Sequence, residues 1–146
     1  MIRKINYEDL QEYLAMSNDF YHSDAVMKPV PEQYFINSFN EMMRSNEYIS
    51  CYIIEKECKT AGYALLARTF SPEVGGMVLW LEELYLKPEY RGEKLGSEFL
   101  SFLNETLAPG YRRLRLEVED YNTAAVGLYK KYGFGFLPYS QMYKEL

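Results

Sequence analysis

Residues 89 to 99 read EYRGEKLGSEF and hold the densest candidate chemistry in a chain of 146 residues. Arg91 and Gly92 lead through Glu93, Lys94 and Leu95 to Gly96 and Ser97, with a helical run behind. A loop that opens a helix leaves the first backbone amides unpartnered. With the helix dipole, those amides favour an anion such as a phosphate. The same two glycines also suit a plain turn and helix start, because neither carries a Cβ. The loop lacks the Lys-Ser/Thr ending of a nucleotide phosphate loop and the three-glycine dinucleotide fingerprint. Just upstream, Glu82 and Glu83 sit side by side near the end of a strand-like run, MVLWLEELYL. Neighbouring strand residues face opposite sides of a sheet unless a bulge intervenes, so one of the two acids is expected to face the cleft. A carboxylate placed there can take a proton from a reacting group, although a solvated edge pair has the same sequence.

The elements that position these residues follow from periodicity. IRKI at 2–5 alternates as a first strand, and Asn6 stands three residues before Asp9 in a helix-capping arrangement. Leu10, Tyr13, Leu14 and Ser17 then recur at helical spacing. Phe35, Phe39, Met42 and Met43 mark one face of a second helix after Pro31. YISCYIIE, TAGYALLARTF and MVLWLEELYL read as three meandering strands, the first two joined by the charged turn KECK. Behind the loop, Leu95, Phe99, Phe102, Leu103 and Leu107 share a helix face that Pro109 and Gly110 end. RRLRLEV alternates as a further strand. Ala125, Leu128, Tyr129 and Tyr132 mark a last helix, and FGFLPYSQMYKEL is expected to form a terminal strand or pair of strands. The order β-α-α-β-β-β-α-β-α-β predicts a mixed α/β fold, with an antiparallel first half and βαβ character in the second. Helices should cover both faces of the sheet.

Composition narrows the function. The length suits one domain spanning 1–146, and 48% hydrophobic with 25% charged residues is globular. A net charge of −5 and a pI near 5.0 argue against a nucleic-acid surface and fit a cationic small-molecule partner better. Fifteen tyrosines suggest amphipathic cleft walls as well as core edges. Two cysteines, Cys51 and Cys58, match no metal or redox spacing, so no metal site is expected. MIRKINYEDL contains no apolar signal-like core, and no run is long enough to span a bilayer. A soluble, cytoplasmic domain without membrane partners is the expectation.

The segments AGYALL, WLEELYLKPEYRG and RLRLEVEDYNTAAVGLYKKYGF together resemble the GNAT superfamily of acyl-CoA N-acyltransferases, over essentially residues 48 to 146. The family's loop runs Arg or Gln, two residues, Gly, one residue, then Gly or Ala. Arg91 and Gly96 match its ends, and Lys94 stands at the inner glycine position. The resemblance implies a central, mostly antiparallel sheet with a splayed parallel strand pair, and acetyl-CoA (coenzyme A) lying in the splay. It implies that the backbone of Leu84, Tyr85 and Leu86 takes the pantetheine arm. The amides of Gly92, Lys94, Gly96 and Ser97, within a loop that includes Glu93 and Leu95, would hold the pyrophosphate. Lys94 is expected to keep helical dihedrals and point outward, adding charge together with Arg91. Asn122 and Ala125 would meet pantetheine or loop backbone, and Asn122 serves equally as a helix cap.

The activity implied is transfer of an acetyl group to a primary amine of a small molecule or peptide, by direct attack in a ternary complex. Amine acylation needs a neutral amine, a polarised thioester and a discharged thiolate. By the resemblance, Glu82 is the water-linked base, Glu83 contacts the amine, and Tyr129 donates to the leaving sulfur. Each has a plainer alternative: a solvated pair for the acids, a core-face tyrosine for Tyr129. His22, the only histidine, sits in FYHSDAV and should border the acceptor pocket together with Tyr21 and Tyr34. A surface or packing role is the commoner one for a lone histidine. A non-catalytic acyl-CoA-binding module of the same fold would keep Gly92, Gly96 and Asn122 and need neither Glu82 nor Tyr129. A homodimer through the terminal strands is a further expectation from the resemblance.

Overall fold

The computed structural model describes residues 1–24 and 26–146, so Ala25 of the FYHSDAV loop lies outside the described residues. Five strands run in the order β1 (Ile2–Lys4), β2 (Ile49–Lys56), β3 (Lys59–Ser71), β4 (Gly76–Leu86) and β5 (Arg113–Leu116) across one sheet. β1 to β4 pair antiparallel, and among the described residues β4 with β5 is the one parallel pair. α1 (Leu10–Phe20) and α2 (Glu32–Arg44) lie between β1 and β2, α3 (Leu95–Phe102) between β4 and β5, and α4 (Thr123–Lys131) follows β5.

Helices pack on both sides of the sheet because the strands are apolar on both sides. Tyr13 and Met16 of α1 and Phe35, Phe39 and Met42 of α2 meet Ile53, Tyr63, Leu65 and Tyr85 on one face. On the other, Leu95, Phe99 and Leu100 of α3 meet Ala64, Leu66, Leu79 and Leu81. The amphipathic spacing read from α1 and α2 is therefore the spacing of their buried residues. Ahead of α1, the Asn6 side chain accepts from the Glu8 amide at 2.9 Å, and the Asn6 amide donates to Asp9 at 2.8 Å. Arg3 in turn donates to both Asp9 oxygens at 2.8 Å, fastening β1 to this turn.

Three sequence expectations need correction. The terminal residues 134–146 carry no strand. Pro138 has no amide to give to a ladder, and the large apolar side chains there, including Phe136, Tyr139 and Met142, are exposed rather than packed. β5 is also shorter than RRLRLEV, ending at Leu116 where its parallel pairing with Leu81 ends. Finally, the helix behind the loop is α-helical only to Phe102 and continues as a π-helical turn, Leu103–Leu107.

Candidate functional site

The site begins at a break in β4. β3 pairs Leu65 with Glu83 and Leu66 with Leu81, so Glu82 is an extra residue with no partner of its own. One extra residue inverts the alternation. Leu79 and Leu81 lie in the core beneath α3, whereas Glu83 turns to the α1/α2 side and Tyr85 joins the core there. Leu84 and Leu86 are thereby returned to the α3 side. The parallel pairing to β5 stops at Leu81, one residue before the bulge. Beyond it, no strand among the described residues pairs with the outer backbone edge of Glu82–Leu86.

β4 leads through a 3-10 turn, Pro88–Tyr90, into the loop and α3. The first helical amide bond of α3 is Glu98 to the Lys94 carbonyl at 3.0 Å. The amides of residues 92 to 97 precede it and make no hydrogen bond to described residues. Gly92 has φ +81, a conformation that suits glycine; at Gly96 an added Cβ would only touch Leu128 of α4 at an ordinary contact distance, 3.6 Å. Lys94 departs from expectation: its φ and ψ are +66 and +9, left-handed rather than helical. A left-handed residue followed by helical Leu95 turns successive amides into one concavity, an anion-binding backbone arrangement. The position thus needs what the family's glycine supplies, and lysine bears a cost of about 1–2 kcal/mol there. Lys94→Gly is expected to melt at or above wild type and Lys94→Val below it; the reverse order in a thermal melt would contradict the left-handed assignment.

Other loop residues are tied to the scaffold. Arg91 Nε donates to the Leu86 carbonyl at 2.9 Å, and its guanidinium lies 5.9 Å from the Tyr85 ring centroid. Glu93 is paired with Lys56 at the end of β2. Tyr132 donates to the Ser97 carbonyl at 2.9 Å and lies 3.3 Å from Ser101 Oγ, docking α4 on the first turn of α3. Lys56 and Tyr132 were not among the sequence-derived site residues. Tyr132 could have been found from its helix face; Lys56 had no local signal.

The two acids have different surroundings. Glu83 is 8% exposed and accepts from Tyr21 Oη at 2.5 Å and Tyr63 Oη at 2.6 Å. Burial pushes its carboxyl above the usual range, against the pull of those two hydroxyls. Glu82 keeps solvent access on the bulge. Its carboxyl is also held high, first by the protein crowding around it and then by the charges of Glu117 and Glu83. Tyr21 therefore joins the acids across 62 residues of sequence. His22 does not: it is exposed, and its Nδ1 lies 2.6 Å from the Asn18 carbonyl of the preceding helix, α1. Tyr34 is 56% exposed on α2.

On the α3 side, Tyr129 packs half-buried with Leu84, Leu86 and Leu116 around the core, its ring 5.9 Å from that of Phe134. Its hydroxyl makes no hydrogen bond to a described residue, and burial raises its pKa. Asn122 caps α4, accepting from the Ala125 amide at 3.3 Å, so both residues are engaged with each other. A cleft of about 1180 Å³ runs along β5, α4 and the terminal segment. Of the expected site residues it holds Tyr129 alone; it is open because no terminal strand pairs with β5. Among the described residues there is no cluster of acids, histidines and cysteines fit to hold a metal ion, and no helix long and apolar enough to cross a membrane.

A bulged strand whose parallel pairing ends at the bulge, followed by an amide-lined helix start, is the arrangement that the resemblance to the acyl-CoA N-acyltransferases implies. The model of the acetyltransferase (GNAT) family matches residues 8–134, and the chain belongs to that family. Thialysine N-epsilon-acetyltransferase of Sus scrofa is 30% identical over 143 residues, covering 91% of this chain and 74% of that protein. The Bos taurus protein of the same name is 41% identical over 73 residues, but the match spans 49% of this chain and only 42% of that protein. A putative [ribosomal protein bS18]-alanine N-acetyltransferase of Bacillus subtilis is 35% identical, over 66% of this chain and 61% of that one. Among solved structures, a possible acetyltransferase from Clostridium difficile 630 superposes with a TM-score of 0.84 at 15% identity, covering 100% of this chain and 97% of that one. AAC(6')-Iy in complex with a bisubstrate analogue of CoA gives 0.80 at 14% identity, with the same coverage. At such identities these two establish the fold alone.

Proposed function

We propose that the chain is an acetyl-CoA-dependent N-acetyltransferase that acts on a primary amine of a small molecule or peptide, by direct attack in a ternary complex. The observation that carries this reading is the adjacency of the Glu82 bulge, with its free backbone edge, to the unpartnered amides of residues 92 to 97. The residues fit the cofactor: an open strand edge suits an amide-bearing arm, and the amide concavity suits a diphosphate. Acetyl-CoA, when bound, supplies the acetyl thioester and the thiol leaving group. The chain must orient the amine, remove its proton and stabilise the departing sulfur. Glu82 is the group that accepts the proton, directly or through water, because it combines solvent access with a raised pKa. Glu83, fixed by Tyr21 and Tyr63, orients the amine, and Tyr129 donates a hydrogen bond to the sulfur.

Relatives named for acetylating thialysine, for spermine or spermidine, and for an alanine of a ribosomal protein favour an amine acceptor. The chain's net charge of −5 favours a cationic one. Two free cysteines, Cys51 buried and Cys58 exposed, suit a reducing cytoplasm. The test has two stages. Acetyl-CoA at about 100 times its Kd should raise the melting temperature by about 5–10 °C. A thiol-release assay should then detect turnover with members of a panel of polyamines, lysine analogues and peptide N-termini. No thermal shift at millimolar acetyl-CoA would overturn the cofactor reading; a shift without turnover on any amine would favour a binding module.

A further inference from the structure

Carboxylates gather about Lys56 beside the loop that opens α3, which is unexpected where a diphosphate should bind. Glu93 lies within the loop itself, and Glu98 follows in the first turn of the helix. Glu57, in the β2–β3 turn, acts with both on Lys56, the last residue of β2. Among the loop's own cations, Arg91 is bound to the Leu86 carbonyl and lies over the Tyr85 ring. Lys56 meets Glu93 directly, from 37 residues away, in a pair whose side chains are 35% and 37% exposed. The bond to Glu93, foremost, holds the Lys56 ammonium firmly charged.

Resting on the acyl-CoA reading above, we propose that Lys56 is a positioning residue for the cofactor: it neutralises Glu93 and so permits the amide concavity to accept a diphosphate. An unneutralised carboxylate one residue beyond Gly92 would repel an anion held by the neighbouring amides. In a water-exposed loop that repulsion is worth a several-fold change in affinity and is sensitive to salt. The pair therefore acts by charge, which separates it from a merely structural bridge. If it only held the loop in shape, removing either partner would weaken binding alike. Acting by charge, removing Lys56 must weaken binding and removing Glu93 must not.

The experiment measures Kd for CoA by calorimetry on the full chain, with melting temperatures to confirm folding. At low salt, Lys56→Gln is expected to raise Kd about five- to tenfold, and Glu93→Gln to leave it unchanged or lower it. The double variant should return close to wild type, and the Lys56 effect should shrink at high salt. Lys59→Gln, an exposed lysine of the same hairpin, should change Kd less than twofold. Dephospho-CoA should show the same Lys56→Gln ratio as CoA, since both carry the diphosphate. Equal losses from both single variants, no change in Lys56→Gln, or a ratio that disappears with dephospho-CoA would each overturn the proposal. Failure of wild type to bind CoA would instead overturn the acyl-CoA reading on which it stands.

Discussion

Tyr129→Phe is expected to lower kcat by about 10²-fold, while Kd for CoA and the melting temperature stay near wild type. The ring is held by Phe134 and by the buried core cluster beneath α3, packing that phenylalanine keeps. The hydroxyl makes no hydrogen bond to a described residue, so its removal strands no partner inside the protein. Its contribution must come from the reaction. A free phenol titrates near ~10 and a thiol near ~8.5, so full proton transfer to the sulfur is uphill by about 2 kcal/mol. Burial raises the Tyr129 pKa further and widens that gap. In the proposed reaction Tyr129 would therefore serve as a hydrogen-bond donor to developing thiolate charge rather than as a proton source at equilibrium. Single-turnover rates should fall as far as steady-state rates, because the lost interaction exists only in the transition state. Unchanged turnover in Tyr129→Phe would remove this residue from the chemistry.

What the sequence disclosed depended on whether the information was local. The helix faces of α1 and α2 were legible because burial repeats at helical spacing, as Tyr13, Phe35, Phe39 and Met42 do. The bulge was legible in retrospect: the leucines beneath α3 are Leu79 and Leu81 before Glu82, then Leu84 and Leu86 after it. That change from odd to even positions is the inversion made by one extra residue. The Lys94 conformation was not legible, because left-handed geometry is normally announced by glycine or asparagine. Nor were the long-range partners. Tyr21 with Glu83 and Lys56 with Glu93 join elements whose approach is fixed by sheet order, and neither pair leaves a trace in local periodicity. The terminal segment misled for the opposite reason. Its apolar residues looked strand-like locally, yet Pro138 denies the ladder an amide and no described strand flanks β5 on its outer side.

Glu82→Gln is expected to lower kcat/KM about 10²-fold near neutral pH and to move the rising limb of the pH–rate profile upward. The sign follows from the two protonation states. An alkyl amine titrates near ~10.4, so at neutral pH almost all of it is ammonium and a base or a water chain must take its proton before attack. Glu82 can do so only once its own carboxyl has ionised. The crowding around it, with Glu117 and Glu83, delays ionisation to higher pH than an ordinary carboxylate. That delay brings its basicity closer to the amine's and makes proton acceptance less uphill. Wild-type activity should therefore rise through the elevated Glu82 pKa. In the amide variant it should rise only as the free amine itself accumulates, recovering toward wild type at high pH. Glu83→Gln offers the contrast. That carboxylate is sealed by Tyr21 and Tyr63, so its loss should raise KM for the amine more than it displaces the profile. If instead Glu83→Gln moves the pH profile and Glu82→Gln does not, the base is the buried acid and Tyr21 is its proton partner.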